Sequence, residues 1–492
     1  QWLNVTMTYD GSSKAEGVNF YINGEAISMN VDKDNLFKDI KHTHKGVLKE
    51  IGIKVGARWR SRGTKDALVD DLKIYNRDLT RIEIANINNV NSPSVINNKD
   101  ELLALFNKSF NPDYKKTASK LISLRQKQNS MAEQVQEIMV MKEMPEPRQA
   151  YILERGSYAS HGEAVSPGVP ETILPYDESL PKNRLGLAAW LTDPKHPLVS
   201  RVVINRYWQM LFGTGIVRTP EDFGNQGQLP THPQLLDWLA REFVDSGWDI
   251  KHMLTLMVTS SAYQQSSIAS QELMEADPEN KLYARGPTNR LTAEMIRDNA
   301  LAASGLLVDS IGGESVYPYQ PDGIWKMNSR TPYKHGSGDD LYRKSMYTIY
   351  KRSVPPPNMT AFDAPMRSYT VGERQQTSTP LQALSLLNDP QIIEASRVLA
   401  SKAMSHSSSL DEQLKWVYRK LTSNQATAQE LDIIISMYND INQTFAANPA
   451  QADEFLAVGD KPLKASDNKI QLASLGSITN MLMNHDAVVI KR

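Results

Sequence analysis

The spacing of apolar residues changes along this chain, and the change excludes a fold built from one kind of element. Up to about residue 90, several segments alternate apolar and polar residues, with Gly, Asp and Asn at the breaks, as β-strands do. Farther on, apolar residues recur every three or four positions, as they do in helices. Because 492 residues also exceed what one core accommodates, the sequence predicts a multidomain α+β protein.

The amino-acid composition argues against several classes of protein and several kinds of functional site. The net charge of -1 argues against a nucleic-acid partner, which requires a basic excess or a basic face. No apolar run approaches the roughly 20 residues that span a bilayer, so we expect no membrane span. The sequence holds no cysteine, which excludes disulfides, thiolate catalysis, cysteine-ligated zinc and covalent haem on this chain.

Residues 1–90 predict strands in four segments, which read WLNVTMTYDG, VNFYINGEAI, IGIKVGA and ALVDDLKIYNRDLT. The INGE motif predicts a tight turn, and the last segment leads into a short helix at about residues 80–87. These motifs resemble the closing half of a laminin-G-like, concanavalin-A-like β-sandwich. The resemblance implies a partial sandwich whose missing N-terminal half comes from the same, longer polypeptide or from a cleaved fragment, because half a sandwich leaves a sheet face in water.

The resemblance to such sandwiches implies a glycan ligand and, in many of them, a calcium ion. Asp70 and Asp71 are the candidate calcium ligands, with further oxygen ligands from the missing half. The alternative is that they end a strand and face solvent. Trp59, between Arg58 and Arg60, is either a sugar-stacking rim or an exposed aromatic residue at a strand edge.

Residues 91–141 predict a linker followed by a helical hairpin or coiled-coil spacer. Asn and Ser dominate residues 91–98, and Asn111-Pro112 breaks the helical pattern. The second helix is expected to run to about Met141. Gln128 lies in its apolar seam, where a polar residue sets the register of a helix pair. The spacer is either architectural or a partner-docking helix. Spacings of three and four define the seam, which comprises Leu103, Phe106, Phe110, Tyr114, Leu121, Leu124, Met131, Val135 and Ile138.

Residues 142–400 predict a mainly helical domain with long Gly- and Pro-rich loops, which helices in residues 401–492 complete. Its motifs include NRYWQMLFGTGIVRTPEDFG, RLTAEMIRDNAL and TSTPLQALSLLNDPQ. Over about residues 140–400 the chain resembles the exported family named for planctomycete cytochrome-c domains, in its C-terminal domain of unknown function 1553. The resemblance implies a periplasmic, cell-surface or extracellular location and a cytochrome-bearing segment or subunit as partner. It implies no particular reaction.

The helix expected from about Val199 combines apolar residues with hydrogen-bonding ones. Arg201, Asn205 and Trp208 share one face and apolar residues occupy the opposite arc, which predicts burial on both sides. Thr231 is expected to cap a following helix that begins with His232 and Pro233. Buried Arg and Asn need partners, and the acidic residues available are Glu163, Asp222, Asp237, Glu294 and Asp298.

Arg290, Glu294 and Arg297 form a second polar row at helical spacing. The two rows either interlock as a buried salt-bridge lattice or line a pocket for an anion or a sugar. His232, Asp222 and Glu294 are the candidates for proton transfer, although His232 is alternatively a helix cap. The candidates for substrate binding, of which the last two are alternatively core aromatics, are Arg201, Asn205, Arg206, Trp208, Arg290, Arg297, Tyr319 and Trp325.

Three functions agree with these patterns. The favoured one is an exported, glycan-associated protein with catalysis undecided, because a lectin-like sandwich precedes loops rich in Arg, carboxylates and aromatic residues. The second is a redox module that works with a cytochrome-bearing segment or partner. The third is a noncatalytic scaffold, which full pairing of the Arg and carboxylate rows would favour.

Overall fold

The computed structural model describes residues 2–36, 55, 57–58, 62–63, 68–90, 93–327, 332–463 and 468–491. The chain divides into two compact units, Gln1–Pro147 and Arg148–Arg492. The first unit contains a small sheet followed by helices, and the second is mostly helical, which confirms the predicted fold class. Within the described ranges, no helix combines the length and the apolar character that crossing a bilayer demands.

The sheet of the first unit is antiparallel and follows chain order. Its strands are β1 (Val5–Tyr9), β2 (Val18–Ile22) and β3 (Glu25–Ile27), and Val5 pairs with Ile22. Asn23 and Gly24 both have positive φ angles, 50° and 84°, between β2 and β3. Two successive positive φ angles are typical of the hairpin turn that the INGE motif predicts. A separate two-stranded pair joins β4 (Ala57–Arg58) to β5 (Arg62–Gly63).

The two faces of this sheet differ in burial. Tyr21 is buried in a small core with Leu79 and with Ile84 of α1 (Arg81–Ile87). Thr80 and Glu83 cap α1 reciprocally, and the helix lies where the sequence predicts it. On the opposite face Val5 and Met7 are 65% and 59% exposed. The strands expected to cover that face remain a prediction.

The prediction of a strand over ALVDDLKIYNRDLT is wrong for residues 68–80. This segment forms no strand, and Leu68 and Leu72 are 83% and 62% exposed. A strand exists only where a neighbour accepts and donates its ladder hydrogen bonds, and no described strand pairs with this segment. Most of the predicted IGIKVGA strand, and Trp59 and Arg60, lie outside the described residues.

The spacer consists of α2 (Pro93–Ile96), α3 (Lys99–Ser109) and α4 (Pro112–Gln134). Asn111 caps α4 by accepting hydrogen bonds from the backbone of Asp113 and Tyr114, so the chain breaks where Asn111-Pro112 predicts. The prediction that this helix runs to about Met141 is wrong. Val135 already has extended backbone, and the residues beyond it are exposed and offer no packing that would prolong the helix.

The second unit surrounds two cores. Its elements are β6 (Ala150–Leu153), β7 (His161–Val165), α5 (Arg184–Leu191), α6 (Val199–Phe212), α7 (Pro233–Asp245), α8 (Ile250–Val258), α9 (Gln271–Ala276), β8 (Asn289–Arg290), α10 (Ala293–Ser304), α11 (Pro357–Ala361), α12 (Pro380–Asn388), α13 (Pro390–His406), α14 (Leu410–Thr422), α15 (Ala428–Ala447), α16 (Pro449–Leu456), α17 (Lys469–Met483), α18 (Asp486–Val489) and β9 (Ile490–Lys491). The larger core joins α10, α13, α14, α15 and α17, and the smaller core joins α6, α7 and α8.

The larger core depends on a close approach of α13 and α17. A Cβ at Gly476 of α17 would lie 2.8 Å from the ring of Phe455 and 3.5 Å from the Cα of Arg397 on α13. The distance to Arg397 is an ordinary contact, whereas the Phe455 ring of α16 would have to move if position 476 carried a side chain. Leu399 of α13 and Leu475 of α17 are 0% and 1% exposed at the contact.

Helix caps in the second unit follow the sequence with one exception. Asp249 accepts a hydrogen bond from the His252 backbone and caps α8, as expected. Thr231 was expected to cap α7, but His232 occupies the cap position, and Pro233 is the first helical residue. Pro at the first position fixes where the helix starts, and Thr231 lies one residue too early.

Leu399→Ala should lower the free energy of unfolding of Arg148–Arg492 by about 3 kcal/mol, because it opens a cavity where the side chain is fully buried. Leu381→Ala is the matched control, since Leu381 is 60% exposed, and should change the free energy by less than about 0.5 kcal/mol. Urea unfolding followed by tryptophan fluorescence measures both. Equal effects of the two substitutions would contradict this description of the core.

Candidate functional site

Asn205 of α6 is completely buried and clamps the backbone that follows the helix. Its amide nitrogen donates to the Val217 carbonyl at 2.9 Å, and its oxygen accepts from the Val217 N–H at 2.8 Å. A Cβ at Gly215 would lie 2.5 Å from the Asn205 nitrogen, so the GTG turn needs glycine at this point. The amide nitrogen and the amide oxygen of Asn205 are thus both bonded to the backbone of Val217, which indicates a structural role.

The other predicted residues of α6 do not share a pocket. Arg201 is partly exposed; its Nε donates to Asp237 at 2.7 Å and its Nη1 donates to the Pro197 carbonyl. Trp208 is buried, with its ring stacked 3.9 Å from Phe212. The prediction of burial on both sides is wrong, because Arg206 and Met210 are exposed. The second unit covers only one side of α6, so the polar residues on the other side need no internal partners.

Three different neighbours engage the three candidates for proton transfer. The His232 Nδ1 lies 3.0 Å from the Thr231 hydroxyl, and its ring lies 5.4 Å from that of Tyr283. Asp222 accepts from the Gly224 N–H at 2.7 Å, within its own turn. Glu294 accepts from Arg374, as described below. No described contact joins His232, Asp222 and Glu294 to one another, and their catalytic role remains a prediction.

Arg290 is bound to the end of α11. Its Nη2 donates to Asp363 at 2.6 Å and its Nη1 to the Thr377 carbonyl at 2.5 Å. Asp363 also accepts from the Thr377 N–H at 2.9 Å. Burial raises the pKa of Asp363, but the hydrogen bonds from Thr377 and Arg290 outweigh burial, so this pKa lies below its ordinary value.

The segment from 364 to 379, here called the strap, connects α11 to α12 and is tied down by carboxylates. The Glu221 side chain accepts from the Gly372 N–H at 2.7 Å, and Glu294 accepts from both Nη atoms of Arg374 at 2.7 and 3.1 Å. Burial raises the pKa of Glu294, yet the Arg374 bonds outweigh it and hold the pKa below its ordinary value. The strap, not α6, therefore supplies the partner of this carboxylate.

Arg297 lies in the larger core, 5% exposed. Its Nη2 donates to the Leu341 carbonyl at 2.8 Å, and its Nη1 donates to the Arg343 carbonyl at 2.9 Å. The Asp298 carboxylate lies 3.5 Å from Nη1, and Gln391 accepts from Nη2 at 3.1 Å. Arg297 thus fastens the 338–345 segment to α10 and α13. Its guanidinium faces protein groups, and the cavity that Arg297 helps to line has a volume of only about 20 Å³.

Tyr319 and Trp325 belong to a packed loop cluster. The Tyr319 hydroxyl accepts from the Asp460 N–H at 2.8 Å, and burial raises the pKa of Tyr319. The Trp325 ring lies 5.1 Å from Tyr333, and the Lys351 ammonium lies 4.5 Å above it. These contacts agree with the alternative that both aromatics fill a core beneath the loops.

Asp70 and Asp71 are both exposed. Asp70 accepts from the Asp71 N–H at 2.8 Å, and Asp71 pairs with Lys73 at 2.8 Å. Calcium takes six to eight oxygen ligands, so these two residues alone do not form a calcium site. Among the described residues no group of three or more His, Cys, Asp or Glu side chains is placed to hold a metal ion. The calcium site remains a prediction.

The first unit contains a cleft that the sequence did not reveal. The cleft, about 460 Å³ in volume, lies between the β1–β2 hairpin and α4. Its apolar wall includes Met7, Tyr9, Val18 and Ile122. Its polar lining includes Lys14, Lys33, Asp34, Asn35, Arg125, Gln126 and Asn129. Arg125 donates a hydrogen bond to the Asp10 carbonyl of the hairpin, although 115 positions separate the two residues in sequence. No local motif links them.

Charged groups around this cleft are unevenly paired. Lys14 lies 4.0 Å from Asp34, which also accepts from the Ala15 N–H at 3.0 Å. Arg125 donates one N–H group to the Asp10 carbonyl at 3.1 Å, and its guanidinium has no other hydrogen-bond partner among the described residues. Burial raises the pKa of Asp10, but hydrogen bonds from Ser12 and the charge of Arg125 outweigh burial and lower it. The Tyr9 hydroxyl accepts from the Ser13 N–H at 2.7 Å, so its own proton remains able to donate.

Comparison with known families agrees with this layout. The family model PSD1, described as a protein of unknown function (DUF1553), matches residues 183–438. The model Laminin_G_3, described as the concanavalin A-like lectin/glucanases superfamily, matches residues 1–85. The chain belongs to the DUF1553 family and carries a concanavalin-A-like region before that domain. Among curated proteins and among solved structures, none matches the chain.

Asn205→Ala should lower the free energy of unfolding by about 2–4 kcal/mol, because it leaves the buried N–H and C=O of Val217 without partners. Asn225→Ala is the control, since Asn225 is exposed in the next loop and should change little. Urea unfolding of both variants measures the difference. A loss below about 0.5 kcal/mol for Asn205→Ala would contradict the clamp.

Asp363→Asn should alter how stability depends on pH. Because the folded pKa of Asp363 lies below its unfolded value, its stabilisation is present above the unfolded pKa and is lost as pH falls through the folded pKa. The native chain should therefore exceed the variant in unfolding free energy most above about pH 5, and the gap should shrink toward about pH 2. Thermal unfolding across this range tests the trend, with Glu272→Gln on exposed α9 as the control. A gap independent of pH would refute the assignment.

Proposed function

We propose that the protein binds carbohydrate and that the cleft in Gln1–Pro147 is the binding site. The observation that carries this proposal is the cleft itself, whose volume of about 460 Å³ is in the range of small-ligand sites. The match of residues 1–85 to the concanavalin A-like lectin/glucanases superfamily supports carbohydrate as the ligand class. Membership of a fold family does not identify the ligand, so the ligand class has to be argued from the residues that line the cleft.

The lining of the cleft suits a sugar ring. Sugars present C–H faces to apolar groups and hydroxyls to polar ones, and the cleft offers both kinds of surface. Met7, Tyr9 and Val18 form the apolar side on the hairpin. Asn35 and the helix residues Gln126 and Asn129 offer amide donors and acceptors for hydroxyl groups.

The charge of the cleft favours an anionic sugar. Among the described residues that line it, Lys14, Lys33 and Arg125 accompany one carboxylate, Asp34, which pairs with Lys14. The Asp10 carboxylate beside the cleft also interacts with Arg125. Lys33 and the remaining Arg125 N–H groups are then available for a carboxylate or a sulfate group. We therefore infer that the ligand is a glycan that carries uronic acid or sulfate groups. We also propose an exported location, because such polysaccharides occur outside the cell. The calcium ion and the cytochrome-bearing partner are further proposals, and both rest on the family resemblance.

A noncatalytic role for Arg148–Arg492 is the second part of the proposal. Arg201, Arg290 and Arg374 each contact a carboxylate of the same fold, and Arg297 contacts backbone carbonyls. This pairing favours the salt-bridge lattice, in which arginine and carboxylate side chains bind each other, over a substrate pocket lined by the same arginines. We infer that this unit supports or displays the carbohydrate-binding unit.

Arg125→Ala and Lys33→Ala should each weaken binding of oligouronates and sulfated disaccharides at least about tenfold, which corresponds to about 1.4 kcal/mol. Titration calorimetry of the full chain at low salt measures the affinity. Lys195→Ala in the second unit is the matched control and should bind like the native chain. Lys33→Ala guards against misfolding, because Lys33 is exposed, whereas Arg125 also holds the Asp10 carbonyl.

The same titrations distinguish charge from general sugar binding. Binding of anionic ligands should weaken as salt rises, while neutral oligosaccharides should bind more weakly at low salt and should respond little to salt. Absence of binding by every anionic and neutral glycan would refute the proposed function. Binding that neither cleft variant changes would place the site elsewhere and refute the cleft.

A further inference from the structure

Helix α4 exposes an apolar stripe on its outer face. Tyr114, Leu121, Leu124 and Met131 are 42%, 46%, 55% and 63% exposed, and no residue of α4 is buried. Exposed apolar residues that recur at helical spacing are typical of interaction surfaces, whereas single ones are common and carry no meaning. The stripe is therefore a candidate contact for something other than the described part of the chain.

This stripe borders the carbohydrate cleft but consists of other residues. With 3.6 residues per turn, Leu121, Leu124 and Met131 point to one side of the helix, and Ile122 points to another. Arg125, which lines the cleft, lies only about 40° around the helix from Leu121. The two surfaces therefore meet at Arg125, and substitution of Leu121 and Leu124 tests the stripe without changing a residue that lines the cleft.

The shape of the stripe favours a helical partner. The positions 114, 121, 124, 128 and 131 repeat with the seven-residue spacing of a coiled-coil seam. Such a stripe is narrow, about two residues in seven, whereas a helix that lies on a bilayer needs a broad apolar face. Gln128 lies within the seam, and a polar residue there fixes the register of a helix pair at some cost in stability.

The charge along the stripe defines the partner further. Lys116, Lys120 and Lys127 are exposed along one edge of it, and none forms an ion pair with a described residue. The acidic residues of α4, Asp113 and Glu133, lie near its two ends. A second copy of α4 would bring the lysine rows together in an antiparallel pair and would set Lys120 beside Arg125 in a parallel one, and like-charge repulsion disfavours both arrangements. Acidic residues on the partner would be attracted instead.

We propose that α4 is a docking site for an amphipathic helix of another polypeptide, whose apolar stripe is bordered by Asp or Glu residues. Leu121 and Leu124 supply the apolar contact, and the lysine row selects the acidic partner and sets its orientation. Leu121 and Leu124 do not line the carbohydrate cleft, so their substitution tests this contact and not carbohydrate binding.

The experiment measures binding of a synthetic probe to the full chain by fluorescence anisotropy. The probe is a helical peptide of about four heptads with Leu and Ile in the seam and Glu at the flanking positions. A matched peptide with Lys at the flanking positions is the control. The acidic peptide should bind at least about tenfold more tightly than the basic one, and the difference should shrink as salt rises.

Variants on the exposed surface locate the contact without disturbing a core. Leu121→Ser with Leu124→Ser should abolish binding of the acidic peptide, while Leu381→Ser at an exposed position of α12 should leave it unchanged. Changing Lys116, Lys120 and Lys127 together to Glu should reverse the preference in favour of the basic peptide. Because the chain has no cysteine, Thr117→Cys carries a single fluorescent label in the seam, and its emission should shift when the acidic peptide binds.

Three results would overturn the proposal. Equal affinity for both peptides would show a merely sticky apolar surface. Binding of the native chain to vesicles with anionic lipid, lost in the double leucine variant, together with no peptide binding, would show a membrane-surface helix. A dimer in sedimentation velocity that the double leucine variant dissociates would show that a second copy occupies the stripe.

Discussion

A polar group that leaves water must find hydrogen bonds inside the protein, and much of the second unit depends on this requirement. Arg297 meets it by binding the carbonyls of Leu341 and Arg343, and so fastens a loop to two helices of the larger core. Asn205 meets it through the backbone of Val217 in the smaller core. Removing either set of partners would leave buried groups unsatisfied, at a cost of several kcal/mol for the guanidinium. Arg297 and Asn205 each join a helix to a backbone segment that has no hydrogen-bonded helix or sheet in common with it.

The same requirement separates structural polarity from polarity that a ligand can use. In Arg148–Arg492, Arg290 and Arg374 face Asp363 and Glu294, so their charges are already compensated. In the described lining of the cleft of Gln1–Pro147, three cationic side chains accompany one carboxylate, and the Asp10 carboxylate also interacts with Arg125. Charge in excess next to a cavity attracts a ligand, whereas paired charge inside a fold holds the fold together. This contrast is the reason why we propose a binding site in the smaller unit.

Local pattern predicted the elements whose physical causes are local. The period-two alternation and the INGE turn correctly predicted β1, β2 and β3, and Asn111-Pro112 correctly predicted the break before α4. Expectations failed where neighbours decide the outcome. Residues 68–80 have the composition of a strand but lack a pairing strand. The helix after Asn111 ends at Gln134 although apolar spacing continues, because no packing supports the remainder.

The candidate site was less predictable than the fold. The sequence identified Arg201, Asn205, Arg290 and Arg297 as residues that need partners, and it named Asp237 among the possible ones. It could not assign Asp363 to Arg290, since these residues lie 73 positions apart and no periodicity relates them. The cleft was missed for the same reason, because a hairpin and α4 line it from distant parts of the chain.

By itself the sequence determined the two kinds of architecture, the family, and the requirement that polar residues within apolar helices be paired. Hydrophobic periodicity, turn residues and helix caps act over a few neighbouring residues, so they can be recognised in the sequence without the structure. Only the tertiary structure decided which charges compensate each other and which remain available beside a cavity. Ion pairing falls off within a few ångströms, and distances of that size between remote residues exist only after the chain has folded.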